Sequence, residues 1–368
     1  MSENLLNNIN YIPVRTWNWL GVNDISIDRD MPEMKPYTLD ILQIEKNSSI
    51  DIEPIDKMNS SIDLLNSFQY DGISKELSEL VKDNYNTGFY AKINKDQRIK
   101  EPVTIHYEFD TDSDVIYDNN IIIAEEGSES TFIIEYDSKD KTNSFHNGLT
   151  RIYGKKNSTI NLIKVQSLSD KSIHLDGSIV KLEENARVNF ILVELGSKTS
   201  VTNVCSELEG YRSSASVHTV YIGDKGRTLD MNYRINHYGK ETQSNIEVKG
   251  ALMDKSQKTF RGTIDFKKGA SGSIGKEEEY AVLLSKEAKN KSVPILLCTE
   301  EDVSGEHSAS AGKIDENKLF YLMTRGIREE EAKRLIIEAN IRPIIDLIPD
   351  KNIKTIIYDE IRRKLVYG

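Results

Sequence analysis

The residue with the clearest capacity for metal chemistry is His307, which follows Glu306 and precedes the small side chains of residues 308–312. Neutral imidazole binds iron and other borderline metals, and a neighbouring carboxylate would add an oxygen donor. The small residues predict a tight turn between a strand and a helix, which would present His307 outward. The alternative is a histidine that only caps the following turn or helix.

The chain contains two cysteines, Cys205 and Cys298, and neither belongs to a C-x-x-C pair. A single chain needs about four thiolates to hold an iron–sulfur cluster by itself. Any cluster on this chain is therefore transient, shared between subunits or absent. Cys298 follows the apolar residues 295–297, so we expect it to be buried, and Cys205 is kept as a weaker candidate ligand. The other histidines lack metal-ligand spacing and are interpreted as structural: His106, His146, His174, His218 and His237.

Composition and short motifs argue against several classes of function. With 59 acidic and 48 basic residues the net charge is −11, and such a surface repels nucleic-acid phosphates. No apolar run approaches the ~20 residues of a membrane helix, and the N-terminus lacks a signal-peptide pattern, so a cytoplasmic location is expected. The glycine-rich residues 269–276 are not a nucleotide loop, because Ala270 replaces the first glycine and Glu277 follows the lysine. ATP would have to bind to another subunit.

Hydrophobic spacing divides the chain into a mixed, mainly helical region at 1–90, a β-rich core at 91–312 and a helical domain at 313–368. Trp17 and Trp19 would share one face and anchor the N-terminal arm, with docking onto a partner as the alternative. The apolar residues at helical spacing in the first region are Ile62, Leu64, Leu65, Phe68, Leu77, Leu80 and Val81.

The β-rich core consists of apolar runs separated by charged turns. The turns around Glu126, Lys156, Glu184, Asp224 and Asp254 recur at intervals of about 30, 28, 40 and 30 residues. This period is typical of a solenoid, in which one unit cannot bury its apolar face and stacking supplies the core. Periodicity alone leaves a second architecture open, an antiparallel sandwich with hairpins at the same turns.

The C-terminal part returns to helical spacing. Asp315 is a predicted N-cap, and Gly326 is a predicted stop for the first helix. A second helix is expected to end at Pro343, and a third segment covers residues 352–365. The apolar stripe of the second helix is Ala332, Leu335, Ile336 and Ala339.

Three stretches resemble the SufB/SufD family of the SUF iron–sulfur assembly machine. The order H-[small run]-G-x-I-D-x-x-x-L-F-Y-L-x-x-R-G-I, beginning at His307, is similar to the C-terminal signature of that family. IPVRTWNWLGVND at 12–24 is similar to the opening of SufD-type members, and TFRGTIDFKKGASGS at 259–273 is similar to the family's Arg-Gly and Gly-Ala turn. SufB-type members carry an assembly cysteine upstream of Pro294, which residues 285–293 lack. The resemblance is therefore to the SufD type.

The resemblance implies a right-handed parallel β-helix flanked by helices and a non-catalytic scaffold that holds no permanent cofactor. It also implies that His307 faces a cysteine of a SufB-like paralogue, with a transient iron–sulfur cluster assembled between them. Ser308 departs from the glycine that SufD-type members commonly carry there. A SufC-like ABC-type ATPase is expected to dock on the C-terminal helices, at Leu319, Phe320, Tyr321, Arg325 and Gly326.

Two alternatives remain open at the level of the sequence. One is a homodimer that works without a SufB-like paralogue. The other is a β-solenoid protein that binds or cleaves polysaccharides, which would need carboxylates or basic residues aligned along one face. The acidic residues lie mostly in turns, which favours the scaffold.

Overall fold

The computed structural model describes residues 5–41, 49–55, 72–139 and 141–367, and two long β-sheets dominate them. The nine strands of the first sheet are β1 (Ile50–Pro54), β2 (Phe89–Ile93), β4 (Val115–Ala124), β6 (Phe145–Gly154), β8 (Ile173–Leu182), β10 (Thr199–Leu208), β12 (Thr228–His237), β14 (Gln257–Phe266) and β16 (Lys289–Cys298). The eight strands of the second sheet are β3 (Val103–Phe109), β5 (Glu129–Ser138), β7 (Thr159–Ser167), β9 (Arg187–Glu194), β11 (Ser214–Gly223), β13 (Gln243–Leu252), β15 (Ser273–Leu283) and β17 (Val303–Gly312).

The chain passes alternately between the two sheets, so neighbours within one sheet are two strands apart in sequence. From β2 onward the neighbours are parallel and in register, as where Thr199 pairs with Thr228 and Ser214 pairs with Gln243. A sandwich of hairpins would instead pair consecutive strands antiparallel. The predicted parallel β-solenoid is therefore confirmed, and the antiparallel alternative is wrong.

The turns between strands owe their sharpness to left-handed residues. Gly127, Asn157 and Asn185 have φ angles of 69°, 59° and 55°, a region that glycine and asparagine enter at low cost. These three residues occupy equivalent turns of successive coils. Their spacing of roughly one solenoid coil explains why the period was readable in the sequence.

The irregular interval of about 40 residues has a simple geometric cause. Glu184 lies in the turn that joins β8 to β9, whereas Asp224 lies in the turn that joins β11 to β12 on the opposite side of the solenoid. In the next coil, the turn equivalent to that of Glu184 joins β10 to β11 and contains Arg212, with φ of 57°. The five charged turn residues therefore come from two sides of one regular solenoid, and the interval of about 40 residues is the step from one side to the other.

The core fills the space between the sheets and continues onto their outer faces. Every residue of β4 is buried, as expected of a parallel strand covered on both sides. N-terminal residues such as Leu6, Ile9 and Leu77 cover the outer face of the first sheet. The C-terminal helices cover the second sheet, where Ile341 packs among its outward side chains.

The N-terminal region contains less helix than expected among its described residues. Helix α1 (Lys75–Asp83) begins at Ser74, whose hydroxyl accepts a hydrogen bond from the Leu77 amide. The remainder is a short 3-10 helix, β1, β2 and extended chain. The predicted helical residues Ile62, Leu64, Leu65 and Phe68 lie outside the described residues.

The predicted anchoring role of the two tryptophans is wrong. Trp17 and Trp19 are 73% and 80% exposed, although the adjoining arm is held firmly against the first sheet. The Lys291 ammonium donates to the carbonyls of Leu20 and Gly21, which fixes the arm beside β16. The arm is therefore held by these polar contacts and by buried aliphatic residues such as Ile12 and Val22, while its indoles face outward.

Three helices follow the solenoid: α2 (Glu316–Thr324), α3 (Glu329–Ile345) and α4 (Lys351–Tyr367). Asp315 caps α2 by accepting from the amides of Asn317 and Lys318, and Gly326 has φ of 87°, so both predicted boundaries are confirmed. Pro343 lies inside α3, which ends two residues later than predicted, because proline in a final turn removes only one hydrogen bond. Among the described residues, no helix has both the length and the apolar character needed to cross a membrane.

Candidate functional site

His307 lies near the middle of strand β17, so the predicted turn at this position is wrong. Pairing with β15 runs in register from Val303 to Gly312 and includes the whole run of small residues. The ladder offered by a neighbouring strand outweighs the weak turn preference of serine and alanine. The imidazole is therefore fixed on a strand, which holds a side chain more rigidly than a loop.

Strands β16 and β17 form an open end of the solenoid. Each is the last strand of its sheet and pairs with one neighbour, β14 or β15, within the described part of the chain. Eight consecutive residues of β17, 304–311, are exposed. An uncovered strand of this kind presents free backbone donors and acceptors to another chain.

His307 lies on the inward face of β17. Gly305, two residues earlier, faces Leu296 and Phe266 across the interior, and Val303 packs against the core. Because alternate residues of a strand share a face, His307 points toward the same interior space. The imidazole is exposed because no further coil of the described chain covers it, and it makes no hydrogen bond to another residue there.

Directly beneath His307 in the ladder lies Glu277 of β15. Its side chain is on the buried face of that strand, with 4% of the residue exposed. The carboxylate lies against Gly262, where any side chain would overlap it. Burial raises the pKa of Glu277 to about 7, although the nearby Lys258 opposes the shift.

A buried ion pair completes the polar lining of this end. The Lys258 ammonium contacts the Glu279 carboxylate, and both side chains are fully enclosed. Burial lowers the pKa of Lys258 well below its usual value, and the attraction of Glu277 opposes that shift. The second oxygen of Glu279 has no hydrogen-bond partner in the described structure.

The other predicted ligands do not join His307. Glu306 points to the opposite face of β17, where its carboxylate lies 3.5 Å from the Lys276 ammonium. Cys205 lies on β10, three strand spacings from β16, or roughly 14 Å along the sheet. Burial raises the pKa of the Cys205 thiol to about 12. The structure therefore separates Cys205 from the open end and keeps it in the thiol form.

Cys298 was expected to be buried and is instead exposed. It pairs in register with the buried Phe266, but no described strand lies above it, so the burial that its apolar context predicts is lost. Its thiol donates a hydrogen bond of 2.8 Å to the Glu300 carbonyl. The residue therefore shares the open end with His307, on the facing sheet.

Helix α2 carries the residues predicted to bind an ATPase. Phe320 and Tyr321 are 69% and 58% exposed, Arg325 and Gly326 are exposed, and Leu319 is half-buried. The Arg325 guanidinium stacks over the Tyr321 ring at 5.3 Å. Between α2 and α3 runs an apolar groove of about 520 Å³, lined by Tyr321, Leu322, Leu335, Ile336 and Ala339. Three residues of the predicted α3 stripe, Leu335, Ile336 and Ala339, thus face this groove, while Ala332 is buried.

Within the described ranges no three His, Cys, Asp or Glu side chains cluster closely enough to form a complete metal site. His307 and Glu277 together would supply two ligands, so the remainder would come from water or from another chain. The sequence interpretation missed Glu277. The available signal was the solenoid period, since Glu277 precedes its register partner His307 by about one coil.

The fold and this end define a class of protein: a parallel β-solenoid with an uncapped terminal coil and an exposed imidazole above a buried carboxylate. Residues 107–340 match the family model described as "SUF system FeS cluster assembly, SufBD core domain". The chain belongs to the SufB/SufD family, and its likeness is to the SufD type.

Individual relatives agree with this assignment. The iron–sulfur cluster assembly protein SufD of Bacillus subtilis is 25% identical over 303 residues, which cover 81% of this chain and 69% of that protein. The iron–sulfur cluster assembly protein SufB of the same organism is 24% identical over 263 residues, or 71% of this chain and 57% of that protein. A SufBD family protein of Mycobacterium leprae is 25% identical over 249 residues, which span only 29% of its length.

Proposed function

We propose that this chain is a non-catalytic scaffold subunit for iron–sulfur cluster assembly, which offers His307 as a ligand to a cluster shared with a partner subunit. The observation that carries the proposal is the imidazole, exposed and fixed on an edge strand at the open end. Iron and sulfide are the cargo, and no permanently bound cofactor is required. Membership of the SufB/SufD family supplies the system in which such a site would act.

The partner would pair with the open end of the solenoid. The free edges of β16 and β17 can extend both sheets into a second solenoid through backbone hydrogen bonds. Leu296, which is 41% exposed, and the exposed Trp17 and Trp19 arm beside β16 would add apolar contact around that junction. A SufB-like paralogue is the proposed partner. A second copy of this chain is the alternative and would bring two copies of His307 together.

A SufC-like ABC-type ATPase would dock on α2 and the groove between α2 and α3. Phe320 and Tyr321 are large exposed aromatic side chains, a type that is enriched at the centres of protein–protein interfaces. Movement of the ATPase would then act on α2 and reach the solenoid through α3, whose Ile341 is buried against the second sheet. ATP hydrolysis would belong to that subunit.

The polysaccharide alternative receives no support from the charged turns. Acidic residues in those turns pair with basic residues of neighbouring coils, as in Lys95–Glu126 at 2.7 Å and Lys156–Glu184 at 3.0 Å. The carboxylates of these pairs are neutralised rather than left open to a substrate. These contacts explain the turn charges as links between coils.

Co-expression with the other subunits of the system tests the proposal. After anaerobic purification, the His307→Ala complex is expected to keep its subunits but lose most of its iron and sulfide. Glu306→Gln is the matched comparison, because that carboxylate lies on the opposite face of the same strand. Equal cluster content in the His307→Ala and wild-type complexes would contradict the site.

ATPase docking is tested separately by Phe320→Ala and Tyr321→Ala. Deleting residues after Ile314 is a poorer experiment, since it would uncover the apolar face of the second sheet. The two exposed side chains contribute little to folding, so the variants should remain folded and lose ATPase binding. Unchanged co-purification of the ATPase with both variants would refute this docking surface.

A further inference from the structure

Glu277 is 4% exposed, and its side chain forms no hydrogen bond to another residue that the structure describes. Buried carboxylates in proteins normally have partners, and an exception needs an explanation. The nearest cation, Lys258 of β14, is already in contact with Glu279, which lies on the same strand as Glu277. The Lys258 ammonium and the Glu279 carboxylate offset each other, which leaves the Glu277 carboxyl group without a cation of its own.

Glu277 and His307 are register partners on one face of adjacent parallel strands. Such neighbours lie about 4.8 Å apart along the sheet, so one ion can contact both side chains. The backbone around the carboxylate is shaped to admit it, because any side chain at Gly262 would overlap it. Above His307 there is no further coil among the described residues, so the site opens toward solvent or a partner.

We propose that Glu277 is a second protein ligand, which together with His307 binds a divalent first-row transition-metal ion at the open end of the solenoid. One imidazole nitrogen and one carboxylate oxygen are a donor pair suited to Fe²⁺ and Co²⁺. This inference rests on the proposed function and deepens it, since it places an iron ligand one coil inside the solenoid. Water or partner atoms complete the coordination.

The competing explanation is that Glu277 only balances the charge of Lys258. Under that explanation the carboxylate serves the interior and has no effect on metal binding. Under the proposal, the carboxylate is held without a hydrogen-bond partner so that its oxygens remain available to an ion. The two explanations predict opposite results for a variant that removes the charge and keeps the shape.

The test is anaerobic titration of the isolated, full-length wild-type chain with Co²⁺, followed by visible absorption and calorimetry. Glu277→Gln should weaken Co²⁺ binding at least tenfold, and His307→Ala should weaken it by a similar or larger factor. Glu278→Gln is the matched control, because the adjacent side chain is 58% exposed on the outer face of the same strand. Its affinity should stay within twofold of the wild type.

Thermal unfolding of each variant guards against loss of the fold. Removing a buried charge that lacks a hydrogen bond should not lower the melting temperature of Glu277→Gln. Wild-type affinity in a folded Glu277→Gln protein would overturn the proposal, as would a wild-type chain that binds no Co²⁺. Either failure leaves the scaffold role intact, because that role is judged by cluster content in the His307→Ala complex.

Discussion

A buried carboxylate, that of Asp224, adds a polar link between the last helix and the solenoid to the apolar packing of Ile357 and Ile361. Its oxygens accept from the Arg227 side chain at 2.7 Å and from the Lys364 ammonium of α4 at 3.3 Å. All three residues are at most 9% exposed. Burial raises the pKa of Asp224, but Arg227 and Lys364 outweigh that effect, so the pKa of Asp224 lies below its usual value.

Replacing this residue, Asp224→Ala, would leave two buried cations without their shared anion. Removal of one partner of a buried ion pair costs about 3–5 kcal/mol. We expect the lower end, about 3 kcal/mol, because Lys364 keeps a second carboxylate, that of Glu360, at 3.7 Å. The loss should concentrate in α4, because the wild-type contact links Lys364 near the end of that helix to the solenoid.

The assay is urea unfolding together with hydrogen exchange of residues 351–367. A matched control is Asp170→Asn, which breaks a solvent-accessible pair with Lys225 in the cleft that Asp224 and Lys364 also line. Exposed ion pairs contribute about 0–1 kcal/mol, so the control should change the free energy of unfolding very little. If Asp224→Ala costs no more than Asp170→Asn, and exchange in α4 is unchanged, the anchoring argument is refuted.

Three further predictions concern pH, the open end and the helices. Burial lowers the pKa of His237 to about 3, from 6.5, so the folded state keeps this ring neutral. Acidification to pH 5 should therefore cost about 2 kcal/mol of unfolding free energy through this residue. Urea unfolding at pH 7.5 and 5 should show that His237→Gln lacks this loss, and an equal pH dependence would disprove the assignment. Leu296→Lys should weaken association with a partner at least tenfold in analytical ultracentrifugation. The monomer should remain folded, because the side chain is 41% exposed at the open end. Unchanged association would place the interface elsewhere. Ile341→Ala should cost about 2–5 kcal/mol in urea unfolding, since the side chain is buried between α3 and the second sheet; a cost below 1 kcal/mol would show that α3 does not pack there.

Much of the architecture can be predicted from the sequence because every coil of a solenoid repeats the same local pattern. Each coil needs a left-handed turn residue and two apolar runs, so Gly127, Asn157 and Asn185 recur at nearly constant intervals. Capping is equally local, which is why the start of α2 at Asp315 was predictable. Local sequence patterns do not show which strands pair, because neighbours within a sheet are two strands apart in the chain. The parallel pairing is therefore seen only in the structure.

The candidate site was only half visible for the same reason. His307 was predicted by residue type and resemblance, but its place on a strand depends on pairing with β15, which no local signal reports. In the sequence, Glu277 argues only against a nucleotide loop, because its contact with the next coil is not local. The contact between His146 and His174 is not local either: these residues are one coil apart and stack with ring centres at 4.5 Å inside the solenoid. Comparing residues one period apart would have found both pairs.

The most direct measurement of the central claim is pulsed electron paramagnetic resonance of the reduced cluster in the assembled complex. Only this chain would carry ¹⁵N-labelled histidine, so that nitrogen coupling reports a bond from its own imidazole. The account predicts a ¹⁵N coupling that disappears in the His307→Ala complex. A cluster that shows no ¹⁵N coupling in the wild-type complex would contradict it.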